Sequence, residues 1–191
     1  DGGLTDSYDS QALVAKYERG YNKSEKLSFG LGSEYKYDWG RFENRGSFNS
    51  SSKGHVKDFA FFGNAGFKID KNTIFSLYGR ADSHNTAGDH QTYKASVEHK
   101  LDKITLKASR STGLRNPTLY ELYGTDNSGY SGNKSLKAEK SVSNELFMKY
   151  FVNEKLIFET SLFRSNINNN IEYVNNKYTN DNDDINLNQS G

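Results

Sequence analysis

Apolar and polar residues alternate along much of this chain with a period of two. Between Leu27 and Trp39, one face carries Leu27, Phe29, Leu31, Tyr35, Tyr37 and Trp39, and the other carries Ser28, Gly30, Gly32, Glu34, Lys36 and Asp38. Successive side chains of a β-strand point to opposite sides, so the spacing predicts a strand with one apolar and one polar face. The pattern returns at Tyr93, Ala95, Val97, His99 and Leu101, and again at Ile104, Leu106 and Ala108. Phe75, Leu77 and Ala81 oppose Ser76, Arg80 and Asp82. Two further segments alternate with one residue out of step: Phe59 to Ile69, where Phe62 is the misfit, and Val142 to Tyr150, where Phe147 is. The stretches 13–17 and 156–163 read as strands whose facing the pattern leaves open.

Short and long connections take turns. Residues 22–26, 70–72, 102–103 and 153–155 are tight polar turns rich in Asn, Asp or Lys, whereas 43–57, 83–91, 114–140 and 175–184 are longer links. The expected fold is all-β, an antiparallel up-and-down meander of about eight strands with the start of a ninth near Ile185 to Leu187. Outer-membrane barrels have short periplasmic turns and longer extracellular loops, so the alternation also gives a direction: even-numbered strands run outward. The segments approach the 9–11 residues that a tilted strand needs to cross a bilayer. If the apolar face meets lipid, a one-residue slip would move Lys into hydrocarbon at ~2–4 kcal/mol each near the midplane, so register is strongly specified. Tyr35, Tyr37 and Trp39 then fall at the outer rim and Tyr17, Tyr21 and Tyr150 at the inner one.

Composition sharpens this picture. An apolar fraction of 34% and a mean hydropathy of −0.88 are low for a compact soluble core. The 14% aromatic content, nearly all Tyr and Phe, favours strands. A net charge of +1 with both signs interspersed leaves no basic stripe, which sets nucleic acid aside as a partner. The absence of cysteine removes disulfides and thiolate metal sites. No apolar run approaches the roughly 18 residues of a membrane-spanning helix, and the first ten residues are not a signal peptide.

Residues 109–141 carry a more specific signal. Thr112, Gly113, Arg115 and Pro117 precede Leu119 or Tyr120 with Glu121, Leu122, Tyr123 and Gly124; Gly132, Asn133, Leu136, Lys137, Glu139, Lys140 and Ser141 follow. Two such runs flanking one loop resemble the TonB-dependent outer-membrane receptors. The departures are Arg110 for an aromatic, Leu114 for Phe, Asn116 for Ala, and Lys134 and Ala138 for two prolines. Arg110 would sit near the outer rim and snorkel to headgroups. The resemblance implies that residues 1–191 are a segment of a transmembrane barrel of about 22 strands, without the plug domain or a complete barrel. It further implies an outer-membrane location in a Gram-negative bacterium and uptake of a scarce small molecule: a ferric siderophore, cobalamin, haem or a glycan. The implied partners are outer-membrane lipid and the TonB complex, the latter through a part outside this sequence. No cofactor and no catalytic residue is expected.

Several residues are candidates for function. Arg115 follows Gly113 and precedes Pro117 at a strand end, where it either pairs with Glu121 or Glu139 or, by the resemblance, faces the lumen. Gly113, Arg115, Pro117, Glu121, Asn133 and Glu139 form the expected rim motif. Tyr120, Tyr123 and Tyr130 lie among Gly, Ser, Asp and Asn, which suits recognition of a bulky ligand and equally suits packing of the loop on itself. Asp181, Asp183 and Asp184 offer hard oxygens for calcium, without the glycine and terminal glutamate of an EF-hand. His55, His84, His90 and His99 show no metal-ligand spacing. A rival reading is a soluble β-sandwich or lectin-like binding module, in which the apolar faces would cover each other. An outer-membrane hydrolase ranks below it, because it needs a base beside a nucleophile and Ser and Asn are abundant enough here for a Ser/His pairing to arise by chance.

Overall fold

The computed structural model describes residues 5–46, 49–181 and 185–190. In chain order the elements are β1 (Thr5–Asn22), β2 (Leu27–Arg45), β3 (Ser51–Lys68), β4 (Thr73–His84), β5 (Gly88–Leu101), β6 (Ile104–Arg115), α1 (Leu119–Tyr123), β7 (Glu139–Asn153), β8 (Leu156–Asn168), β9 (Asn170–Val174), β10 (Lys177–Asp181) and β11 (Ile185–Ser190). Nine strands form one antiparallel sheet in the order β1 to β8 and then β11, while β9 and β10 pair as a separate hairpin. Among the described residues β1 and β11 are the edges, so the sheet is an open meander and not a closed eight-stranded barrel.

Register fixes the two faces. Tyr35 lies opposite Phe59, Phe61 opposite Ala81, Phe75 opposite Val97, and Ala108 opposite both Val97 and Leu146. Paired residues share a side, so these apolar chains form one continuous outer surface. It stays uncovered: Leu31, Phe61 and Leu146 are 61%, 62% and 60% exposed. A sandwich would bury such a face against a second sheet, and this one faces outward as a membrane barrel's does. Leu13 and Tyr17, opposite Tyr37 and Ser33, belong to that face as well.

The two misfits point inward. Phe62 lies opposite Gly32, whose missing side chain gives the ring its space, and the ring is flanked by Lys16 Nζ at 5.0 Å and the Arg80 guanidinium at 5.8 Å. Phe147 sits between Lys107 and Ser161 on the same inner side. An aromatic face that meets cations is at home in a polar lumen.

Side-chain oxygens close the tight turns. Asp70 Oδ1 accepts the amides of Asn72 and Thr73 at 2.7 and 2.8 Å, and Asn153 Oδ1 those of Lys155 and Leu156 at 2.9 and 3.0 Å. The expected long links 43–57 and 83–91 are largely strand instead. Pairing continues to Arg45 and resumes at Ser51, and between β4 and β5 only residues 85–87 remain as a turn. Ladder hydrogen bonds need no apolar side chains, so hairpins whose side chains turn polar can keep pairing above the bilayer. The alternation therefore survives as strand length: β2 has 19 residues, against about 9–11 for one crossing. The other two long links do leave the sheet, as residues 116–138 with α1 and as the β9–β10 hairpin.

Packing is concentrated where these two excursions meet. Val56, Leu122, Leu136 and Ile171 form a buried cluster, with Leu119, Tyr123 and Tyr178 against it. Among the described residues this cluster thus lies beneath the outer loops, at the inner face of β3.

Candidate functional site

The turn that leaves β6 is built around one cation. Arg115 Nε and Nη2 donate to the two carboxylate oxygens of Glu139 at 2.7 and 2.8 Å, and Nη1 donates to Glu121 at 3.0 and 3.2 Å. Glu121 also caps α1: its Oε2 accepts the Thr118 amide at 2.7 Å while Thr118 Oγ1 accepts the Glu121 amide at 3.2 Å. Glu139 Oε1 accepts the Ile171 amide at 2.7 Å. One guanidinium thereby ties together β6, α1, β7 and β9. The hydrogen bonds that Arg115 donates hold the Glu139 carboxyl below the usual carboxylate range, and having that carboxylate as acceptor holds Arg115 firmly protonated.

The rest of the rim motif supports that hub. Gly113 lies opposite Ser141 across the β6–β7 ladder, and Pro117 is buried one residue before the helix cap. Asn133 donates from Nδ2 to the Tyr178 carbonyl at 3.0 Å, and its own amide donates to the Glu121 carbonyl at 2.8 Å. Asn180 answers from the hairpin, accepting the Lys137 amide and donating to the Lys137 carbonyl at 2.8 and 3.0 Å.

Aromatic rings continue the connection across the lumen side. Tyr8 stacks on Phe42 at 4.8 Å, Phe42 meets Tyr120 edge-on at 5.7 Å, and Tyr120 stacks on Tyr130 at 4.9 Å. Tyr130 in turn contacts Tyr178 at 5.7 Å and Tyr173 at 5.9 Å. Tyr130 is 1% exposed and its hydroxyl donates to the Tyr120 carbonyl at 2.8 Å, so its ring belongs to the loop's interior. Burial pushes its hydroxyl pKa up, and pushes that of Tyr120 up to about 12 with help from Asp126. Tyr120 and Tyr123 keep partial exposure. Tyr123 packs on Gly54, where any side chain would collide with the ring, and Lys134 Nζ lies 5.3 Å from the ring centroid.

Asp126 organises the loop tip. Its Oδ1 accepts the amides of Ser128 and Tyr130 at 2.8 and 3.2 Å, and Oδ2 accepts the Tyr120 hydroxyl at 3.2 Å. Burial works to raise its pKa, but these hydrogen bonds outweigh it and hold the carboxyl below its ordinary value.

Beneath residues 113–119 lies a cavity of about 650 Å³ on the inner face of the sheet, reached by Lys36, Asp38, Asp58, Arg80 and Asp82. Its cations are already engaged. Arg80 donates to Asp82 at 2.8 Å and Glu34 at 2.9 Å, and Lys36 lies 3.0 Å from Glu34. Such a wall offers polar groups of both signs to a ligand, among them Asp58, whose buried Oδ1 has no hydrogen-bond partner.

Of the calcium candidates, Asp181 ends β10, and Asp183 and Asp184 lie outside the described residues. Among the histidines, His84 at the end of β4 and His90 in β5 flank the turn between them: His84 Nδ1 accepts the Ala87 amide at 3.0 Å and His90 Nε2 bonds the Ala87 carbonyl at 2.8 Å. The sequence reading missed Tyr173 and Tyr178, which complete the aromatic cluster, and α1 itself, for which Thr118-x-x-Glu121 is the capping-box signal.

Comparison with known proteins agrees with this architecture. The family model described as TonB dependent receptor-like, beta-barrel matches residues 2–191. A ferric enterobactin receptor of Pseudomonas aeruginosa is 30% identical over 139 residues, covering 65% of this chain and 18% of that protein. The siderophore receptor PirA from Pseudomonas aeruginosa superposes with a TM-score of 0.75 at 18% identity, over 93% of this chain and 35% of its own. The copper transporter OprC does so with a TM-score of 0.73 at 17% identity, over 93% of this chain and 33% of its own. These two likenesses are likenesses of fold, and the chain spans only a minor part of each relative's length. The chain belongs to the TonB-dependent receptor family, as a segment of its β-barrel.

Proposed function

We propose that the protein containing this segment is an outer-membrane receptor that takes up a ferric siderophore in a Gram-negative bacterium, driven through the TonB complex. Residues 1–191 supply wall strands of a larger barrel and four of its outer connections, two of them extended into packed loops; the plug and the TonB-contacting segment belong to other parts of the protein. One observation carries the reading. The two family-like runs close on Arg115 into a single clamped roof over a polar cavity on the lumen side. A small ligand captured from outside must pass such a roofed, pore-facing space before transport, and loops held on a rigid wall are where recognition concentrates.

The choice of a siderophore over cobalamin, haem or a glycan follows from the siderophore receptors it resembles. Tyr120 and Tyr123, partly exposed at the roof, are the candidate ligand contacts. The test is growth of a deletion strain under iron chelation, with ferric siderophores, haem or cobalamin supplied singly. Loss of growth on a ferric siderophore, restored by the gene and not by one lacking its TonB-contacting segment, is the expected result. Unimpaired siderophore use together with loss of cobalamin or haem use would overturn the reading.

A further inference from the structure

The cavity beneath residues 113–119 holds carboxylates in excess of the cations that meet them. Lys36, Arg80 and Arg115 line it, and all three are engaged: Lys36 and Arg80 meet Glu34, Arg80 also meets Asp82, and Arg115 meets Glu121 and Glu139. Asp38 and Asp58 line the same cavity and form no ion pair with a described residue. Lys36 and His84 flank Asp58 in register on β2 and β4, yet neither bonds to it. Lys36 Nζ lies 3.0 Å from Glu34, and His84 Nδ1 turns to the Ala87 amide, 3.0 Å away.

Two oxygens there are orphaned, one in the wall and one in the roof. Asp58 Oδ1 on β3 and Asn116 Oδ1 beside the Arg115 hub are both buried, both without a hydrogen-bond partner, and both belong to residues that line this cavity. A buried polar atom left unpaired costs about 1–3 kcal/mol, and more when it is charged. Native structures leave few such atoms, and each asks for a partner. Two acceptors around one space ask for a donor, and the surplus of carboxylates asks for a positive one.

We propose that this cavity binds a primary ammonium group carried by the captured ligand, with Asp58 and Asp38 supplying the opposite charge and the Asn116 side-chain carbonyl a further acceptor. An ammonium has three N–H donors and no acceptor, which suits orphan acceptors on separate elements. At about 650 Å³ the cavity also has room for the arm that bears it. A bare metal ion fits less well. Among the described residues no three His, Asp or Glu side chains gather to hold one, and two carboxylates with one amide oxygen fall short of the 6–8 ligands that calcium takes. A ligand anionic throughout would bring like charge against Asp38 and Asp58, so the site selects against it as well. The inference deepens the uptake reading and rests on it for what carries the ammonium: an iron chelate with a free amine.

The experiment titrates the intact receptor calorimetrically in neutral detergent with three probes: a linear ferric trihydroxamate ending in an ammonium, the same chelate acetylated at that nitrogen, and cadaverine, an alkyl diamine without iron. The ammonium chelate is expected to bind about tenfold more tightly than the acetylated one. Asp58→Asn, which keeps the shape and an acceptor oxygen but removes the charge, should bring the two within about twofold of each other. Equal affinity for the two chelates in the wild type, or a preference undiminished in folded Asp58→Asn, would overturn the site. An undiminished preference together with a lowered melting temperature of that variant would assign Asp58 to a basic side chain of the protein itself. Binding of cadaverine that is lost in Asp58→Asn, with neither chelate bound, would keep the ammonium site and overturn the siderophore reading. Binding of the chelates alike, with none of cadaverine, would keep that reading and overturn the ammonium site.

Discussion

Arg115 and Glu139 meet end to end, two nitrogens on two oxygens at 2.7 and 2.8 Å, where β6 and β7 part to release the loop between them. They are also cross-strand partners in register, so the pair is the last rung of the ladder and the first anchor of the loop. Only a planar fork can hold Glu139 in this way while its remaining nitrogen reaches Glu121.

Arg115→Lys should therefore loosen the loop although it keeps the charge. Hydrogen–deuterium exchange of the intact receptor is expected to rise about three- to tenfold for amides in residues 116–138, a modest effect because the Arg115 side chain is 42% exposed. Unchanged exchange there, in a variant as well folded as wild type, would remove Arg115 from the centre of the account.

Gly54 and Tyr123 make a second dependence. An added methyl group at position 54 would occupy the space of the Tyr123 ring, which packs against the buried cluster of Val56, Leu122 and Leu136. Gly54→Ala is expected to displace the ring and cost about 1–3 kcal/mol in loop stability. Pairing it with Tyr123→Ala should recover part of that loss, since the smaller side chain vacates the contested space. A double variant no better than the sum of the two would refute direct contact.

Tyr130 separates ring packing from its hydroxyl. Tyr130→Phe removes a buried donor to the Tyr120 carbonyl and should cost about 0.5–1.5 kcal/mol. Tyr130→Ala opens a cavity beside Tyr120, Tyr173 and Tyr178 and should cost about 3–5 kcal/mol. Denaturant titration with a probe in the loop can rank the two. Equal costs would mean that the rings contribute nothing.

The strands were readable in the sequence because one physical rule, an apolar outward side alternating with a polar inward one, runs along most of each strand. Leu31, Phe61 and Leu146 obey it alike. Phe62 and Phe147 broke the pattern because their partners lie on other strands: the space over Gly32 and the cations Lys16 and Arg80 appear only once register is set. The length of the β2–β3 hairpin was hidden for a related reason, since paired and unpaired polar chain look the same in composition. The rim motif was visible as residue types, while its geometry depends on the Ile171 amide and on Tyr178, contributed by a hairpin more than 30 residues further along. Loop contacts made between distant segments leave no local period to detect.

Acid should release the loop in a narrow window. Glu139 has its folded pKa depressed below the ordinary 4.5, chiefly by hydrogen bonds from Arg115, so it binds fewer protons folded than unfolded. Its contribution is then fully present above pH 4.5 and is lost as pH falls through the lower folded value. Asp126 acts in the same direction below its ordinary 3.8. The tyrosines act at the other end. Burial raises Tyr120 from 10.0 to about 12, so its contribution is present below pH 10 and is lost as pH rises toward 12. Between these limits the loop should be insensitive to pH. Near-ultraviolet circular dichroism of the intact receptor, read as the difference from Tyr130→Phe, isolates the aromatic cluster. It is expected to stay flat from pH 5 to pH 9, to fall below pH 4.5, and to lose the upper part of the acid limb in Glu139→Gln, where position 139 carries no carboxylate to protonate. An acid transition that persists unchanged in Glu139→Gln would assign the pH dependence to other carboxylates and leave the Arg115 clamp without a role in it.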